Sequence, residues 1–87
     1  MRVDKFLQVS RLLRRRVLAK EACLAGRVLV NGRTAKPGTE VKPGDVVLID
    51  WGHRQLEIEV LAVGQATKRD SSSLYRVLRE SKQDLPL

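Results

Sequence analysis

Eighty-seven residues make one small domain, enough to bury roughly 60–65% of the unfolded surface but too few for a large substrate cleft. The single Cys23 excludes an internal disulfide and a multi-cysteine metal site, and no apolar run approaches the ~18 residues of a membrane span. A net charge of +7 and a pI near 10.3 point to a polyanion, nucleic acid before an anionic membrane surface.

The charge is unevenly placed. Residues 1–36 hold ten bases, opposed only by Asp4 and Glu21, whereas residues 37–87 hold seven bases and eight acids. The chain therefore divides into a strongly basic N-terminal part and a nearly neutral remainder. No apolar signal core follows Arg2, because Asp4 and Lys5 interrupt it, and with a reducing compartment implied by cysteine usage the expected location is cytoplasmic.

Asp4 is expected to cap a first helix over residues 5–10, with Phe6, Val9 and Leu13 inward and Arg2, Lys5 and Arg11 outward. A break falls in residues 10–14, although no Gly or Pro marks it. A second helix is expected over 15–25, with Val17, Leu18, Ala22, Leu24 and Ala25 apolar and Gly26 as its C-terminal stop. It begins in Arg14, Arg15 and Arg16. Three cations at a helix N-terminus oppose the macrodipole, so local stability does not explain them; a binding role does.

Residues 27–30 alternate as a strand, and Asn31-Gly32 is the strongest short hairpin signal. Residues 33–35 return as a short partner. Lys36-Pro37-Gly38 and Lys42-Pro43-Gly44 read as turns with Gly at positive φ. Strands are expected over 46–50 and 56–63, joined by a loop at 51–55, with Leu56, Ile58 and Val60 on one face and Glu57 and Glu59 on the other. Residues 64–73 are polar and expected to be mobile. Leu74, Val77 and Leu78 fall at helical spacing and predict a final helix over 74–82. The domain is thus expected over residues 1–64, with a linker and short helix over 65–87.

Catalytic chemistry has no foothold. His53 is the single histidine and falls in a loop, Cys23 reads as a buried structural thiol, and no glycine-rich phosphate loop exists. One Phe, one Trp and one Tyr do not make an aromatic base-stacking platform. No metal or cofactor is expected. The candidate RNA-binding residues are Arg2, Lys5, Arg11, Arg14, Arg15, Arg16, Lys20, Arg27 and Arg33. Arginine in place of lysine strengthens the reading, because the guanidinium forks phosphate bidentately.

Four blocks, in order, carry a resemblance: Arg2-Val3-Asp4-Lys5-Phe6-Leu7, Arg15-Arg16-x-x-Ala19, Gly26-Arg27-Val28-x-Val30-Asn31-Gly32 and Val41-Lys42-Pro43-Gly44-Asp45. Together they resemble the S-four RNA-binding domain, or alpha-L motif, over about residues 1–50. The resemblance implies an α+β fold: two N-terminal helices packed on a small, mainly antiparallel sheet of about four strands, plus a short C-terminal helix. The family usually carries Ser where Arg15 stands, so the cap of the second helix differs.

Within that group, the opening Met-Arg-x-Asp-Lys-Phe-Leu, the Val9-Ser10-Arg11-Leu12 segment and Arg14-Arg15-Arg16-x-Leu18-Ala19-Lys20-Glu21 are similar to the RqcP (YabO) family of bacterial ribosome-associated quality control. That resemblance implies a non-enzymatic factor bound to large ribosomal subunits obstructed by peptidyl-tRNA. Its implied partners are large-subunit rRNA, the peptidyl-tRNA, and RqcH, which adds C-terminal alanine tails to stalled nascent chains. It implies no membrane partner and a monomer when free. Arg2 and Arg16 are the implied principal phosphate contacts, with Lys5, Arg11, Arg15 and Lys20 supporting. A heat-shock S-four-type recycling factor, or a ribosome assembly or structural protein, would present a similar basic face.

Overall fold

The computed structural model describes residues 1–63 and 74–82. The elements are α1 (Val3–Val9), α2 (Arg16–Leu24), β1 (Val28–Val30), β2 (Arg33–Thr34), β3 (Val46–Asp50), β4 (Arg54–Val60) and β5 (Tyr75–Lys82). The five strands form one antiparallel sheet in the order β2-β1-β3-β4-β5.

One face of the sheet carries the core. Val28, Val30, Val47, Ile49, Leu56, Ile58 and Val60 are buried there, and the helices bury Val3, Phe6, Leu7, Ala19 and Cys23 in the same cluster. Each large apolar side chain taken wholly from water contributes about 1.5–3 kcal/mol, which is what holds so small a layer pair together. The alternation expected of the fourth strand holds: Leu56, Ile58 and Val60 are buried, while Glu57 and Glu59 stay partly accessible.

α1 starts two residues earlier than expected. Arg2 is its N-cap and gives no side-chain cap bond, so Asp4 lies inside the first turn rather than ahead of it. The earlier start follows from the extended N-terminus, whose Arg2 bridges Glu40 while Val3 N donates to Thr39 O at 2.7 Å and Val41 N to Met1 O at 2.9 Å. The break between the helices is made by Arg11, which adopts a φ of 62°. This is the left-handed position that glycine usually fills after a helix C-cap. An Arg there costs about 1–2 kcal/mol of backbone strain. Buried Ser10 closes α1, its hydroxyl donating to Leu7 O at 3.2 Å.

α2 ends as glycine directs. Gly26 takes a φ of 73°, its N–H donates to Cys23 O at 3.0 Å, and Arg27 N donates to Ala22 O at 3.0 Å. Those two bonds are the Schellman pattern. Its inward face differs from expectation. Ala19 and Cys23, four apart, are the buried positions, while Val17, Leu18 and Leu24 are exposed. Small side chains at the contact let α2 lie close to the first helix, and the larger ones are left outside.

The Asn31-Gly32 hairpin forms, with φ of 52° and 83° at the two residues. Asn31 also ties the turn to the next strand: its amide donates to Asp45 Oδ1 at 3.1 Å, and its Oδ1 accepts from Val46 N at 2.9 Å. Asp45 accepts in turn from Lys42 N at 3.0 Å, which closes the Lys42-Pro43-Gly44 turn. Gly44 has a positive φ, whereas Gly38 does not. The 36–39 turn closes without it through Thr39 N to Lys36 O at 2.9 Å.

Two expectations near the C-terminus are corrected. The loop before β4 is shorter than 51–55, because Arg54 and Gln55 already pair with Lys82 and Ser81. Residues 75–82 are not a helix but a fifth strand, paired with β4 from Tyr75 to Lys82 except at a bulge that leaves Leu78 without a partner in the register. Arg76 pairs with Glu59 and Arg54 with Glu80 across that ladder. Of the apolar stripe, Leu74 is buried in the core, while Val77 and Leu78 are exposed. The polar segment expected to be mobile, 64–73, lies outside the described residues.

Ending the chain at Val63 removes β5 and Leu74 and uncovers one edge of β4. The shortened chain should melt lower, by roughly 4–8 °C for each ~1 kcal/mol lost. Thermal unfolding followed by circular dichroism measures it.

Candidate nucleic-acid interface

The basic residues of the N-terminal part are not spread evenly over the fold. Arg2, Arg16 and Lys20 line one shallow cleft with Asp4 and Val17. Arg2 immediately precedes α1, and Arg16 is the first residue of α2 after its N-cap Arg15, which makes no side-chain cap bond. Two helix starts distant in sequence are thereby brought side by side.

Asp4 is what they meet over. It is buried, with 2% of its surface exposed, whereas the side chains of Arg2 and Arg16 are 49% and 48% exposed. Its Oδ2 lies 3.3 Å from Nη2 of Arg2 and 3.5 Å from Nε of Arg16. Its Oδ1 accepts from Lys5 N at 2.7 Å. A buried carboxylate is costly unless paired and hydrogen-bonded, and here both oxygens are engaged.

Arg2 is also confined from the other side. Its guanidinium lies over Gly38, where an added Cβ would stand 3.9 Å from both Nε and Nη2. A side chain at position 38 would meet the guanidinium at van der Waals contact, and glycine leaves that flank clear. The remaining candidates are all exposed: Lys5 on α1, Arg11, Arg14 and Arg15 in the connection between helices, Arg27 before β1 and Arg33 at the start of β2.

Arg27 faces elsewhere. With Leu13, Leu18, Ala22, Ala25 and Trp51 it lines a separate, more apolar groove on the other side of α2, and its Nη1 reaches Asp50 O at 3.5 Å. Trp51 packs against the core edge as a strand-end residue, and Arg54 stacks over its ring at 5.3 Å. Arg54 is thereby committed to Trp51 and Glu80. The C-terminal strand's Arg76 is likewise matched by Glu59.

Cys23 is buried in the core behind this site. Burial pushes its thiol above the ordinary range, and the negative charge of Asp4 adds to the shift. His53 is exposed in the loop before β4. Among the described residues no group of His, Cys, Asp or Glu is arranged to hold a metal ion. No helix among them is long and apolar enough to cross a membrane.

Asp4 is the site residue that sequence reasoning read only in part: its Oδ1 does take up a first-turn N–H, that of Lys5, but it stands inside α1 and its Oδ2 meets the two arginines. The signal was available. Asp4 and Glu21 are the only acids among the first 36 residues, and Asp4 stands between Arg2 and Lys5.

Two helices on an antiparallel sheet, with arginines gathered at the helix starts, define an RNA-binding S4-domain protein, and residues 1–47 match the S4 domain family model. A protein of Halalkalibacterium halodurans named RQC P-site tRNA stabilizing factor is 49% identical over 81 residues, covering 92% of each chain. Its namesake in Bacillus subtilis is 42% identical, covering 94% of this chain and 96% of its own. That of Streptococcus pneumoniae is 41% identical over 94% of both. Among solved structures, the trimeric Heat Shock Protein 15 of Vibrio cholerae superposes with a TM-score of 0.80 at 29% identity, covering 88% of this chain and 80% of its own. The solution structure of a hypothetical protein, HP1423, gives 0.76 at 34% identity, covering 93% of this chain and all of the other. The chain belongs to the family of RQC P-site tRNA stabilizing factors.

Replacing Arg2 and Arg16 together by Ala would leave Asp4 Oδ2 buried without either ion partner. The double variant should lose about 1–3 kcal/mol of stability, the penalty for a buried group left unpaired. The loss should exceed the sum of the two single substitutions, since either arginine alone still covers the carboxylate. Urea unfolding of the three variants measures the coupling.

Proposed function

We propose that this chain is a ribosome-associated quality-control factor that binds large ribosomal subunits obstructed by peptidyl-tRNA. In this reading it contacts large-subunit rRNA and the tRNA backbone, and keeps the tRNA in the P site while RqcH extends the stalled nascent chain with alanine. The names of its relatives, at 41–49% identity over nearly the whole chain, support the tRNA-stabilizing part. The observation that carries the reading is the pair of half-exposed arginines, Arg2 and Arg16, held side by side over a buried carboxylate.

The mechanism is one of binding, with no bond made or broken by the protein. Arg2 and Arg16 take backbone phosphates as the principal contacts. Lys20 contributes from the cleft wall, and Lys5, Arg11 and Arg15 extend the positive surface around it. Arg14, Arg27 and Arg33 lie outside the cleft and add to the long-range field that draws in RNA. The remainder of the chain, residues 37–87, adds almost no net charge to that surface. Peptidyl transfer remains the work of ribosomal RNA. The protein acts in the cytoplasm, as a monomer when free. The heat-shock-protein relative shares the fold, but its 29% identity is below that of the tRNA-stabilizing factors, which favours the latter activity.

Sedimentation of lysates tests the class of particle. A quality-control factor should travel with free large subunits and rise there when translation is stalled. Residence on intact ribosomes and polysomes would instead mark a structural or assembly protein. Binding should also be strongly salt-dependent. For roughly six phosphate contacts, log K should fall by about 4–5 per decade of salt, and a flat response would indicate docking on protein.

A further inference from the structure

Asp4 is an anomaly on a phosphate-binding surface. It places a carboxylate at the floor of the cleft lined by Arg2, Arg16 and Lys20, where it repels the ligand that the cations attract. A residue that weakens the field of its own site needs another reason to be there. Taking up the first-turn N–H of Lys5 occupies only Oδ1, and the N-cap position itself is Arg2, so helix capping leaves Oδ2 unexplained.

The geometry supplies a reason. Oδ2 of Asp4 engages Nη2 of Arg2 and Nε of Arg16 together, and Oδ1 is held by Lys5 N. The carboxylate cannot turn away, because its side chain is only 3% exposed. Arg16 meets it through Nε, which leaves both Nη groups of the fork for an outside acceptor. Arg2 meets it through one Nη and is fenced on its far side by the turn at Gly38. Both long side chains are thus ordered before any ligand arrives, and the entropy of ordering them is not lost again on binding.

We propose that Asp4 is a positioning residue that fixes Arg2 and Arg16 as a two-arginine clamp for a single RNA backbone phosphate. Lys20 adds a third positive charge beside the clamp. This inference rests on the RNA-binding reading above and assigns the order of its central contact.

The substitution Asp4→Asn decides, because charge counting and positioning predict opposite signs. Asn is isosteric and still accepts from Lys5 N, and the variant carries one more net positive charge. If Asp4 were only a counter-charge, Asp4→Asn would bind large ribosomal subunits more tightly, with a steeper salt dependence. As a positioning residue, its loss should weaken binding by roughly tenfold or more, the cost of about one charged hydrogen bond. It should also make the salt dependence shallower. In an Arg16→Ala background the same substitution should still weaken binding, through Arg2, and only with Arg2 and Arg16 both replaced by Ala should it have no further effect, which a merely structural role would not produce.

Thermal melts accompany each measurement. Should Asp4→Asn melt below the assay temperature, Arg16→Lys carries the test. It keeps the net charge and an ion partner for Asp4 but removes the fork, and should weaken binding to a similar degree. A folded Asp4→Asn that binds equally or more tightly overturns the proposal, as does an Arg16→Lys that binds like the parent chain. Failure of the parent chain to bind the subunits at all would overturn the RNA-binding reading and the clamp with it.

Discussion

The carboxylate of Asp4 is where the starts of the two helices meet. Arg2 ahead of α1 and Arg16 at the head of α2 converge on it, and the turn at Gly38 lies against the Arg2 guanidinium from outside. An ion buried this completely is tolerated only when its partners are fixed, so it constrains how the two helices sit relative to one another. The side chains that α2 buries in the core shared with α1 are small, Ala19 and Cys23.

The sheet serves a different purpose. Its buried face supplies Val28, Val47, Ile49, Ile58 and Val60 against Val3, Phe6 and Leu7 of α1, and its turns are locked by backbone-specific residues rather than by bulk. Asn31 shows this most clearly: a left-handed backbone makes the hairpin, while its side chain joins Asp45 and Val46. Glu59 of β4 and Glu80 of β5 are used in cross-strand pairs with Arg76 and Arg54.

Local chemistry made parts of this legible in the sequence. Val46–Asp50 and the Asn31-Gly32 turn were readable because their signals act over a few residues. The break after α1 could be placed but not explained, because a left-handed Arg11 leaves no compositional mark. The C-terminal strand was misread for a specific reason. A β-bulge falls where Ile58 faces Val77 and Glu57 faces Arg79, so Leu78 has no partner in the register. The extra residue breaks period-2 alternation, and Leu74, Val77 and Leu78 are left at a spacing that imitates a helix. What decides in favour of a strand is the complementary edge of β4, which is distant in sequence. In the site, the basic cluster was visible from charge alone. The sorting of Arg27 onto a different groove, and the role of Asp4 beneath Arg2 and Arg16, needed the tertiary fold.

The most direct test is cryo-EM of particles purified through a tag on this chain. The account predicts large ribosomal subunits carrying P-site tRNA, with the cleft between α1 and α2 against RNA and the guanidinium groups of Arg2 and Arg16 on backbone phosphate. Particles in which that cleft faces solvent, with the protein held instead through the sheet or through Trp51 and its groove, would contradict it.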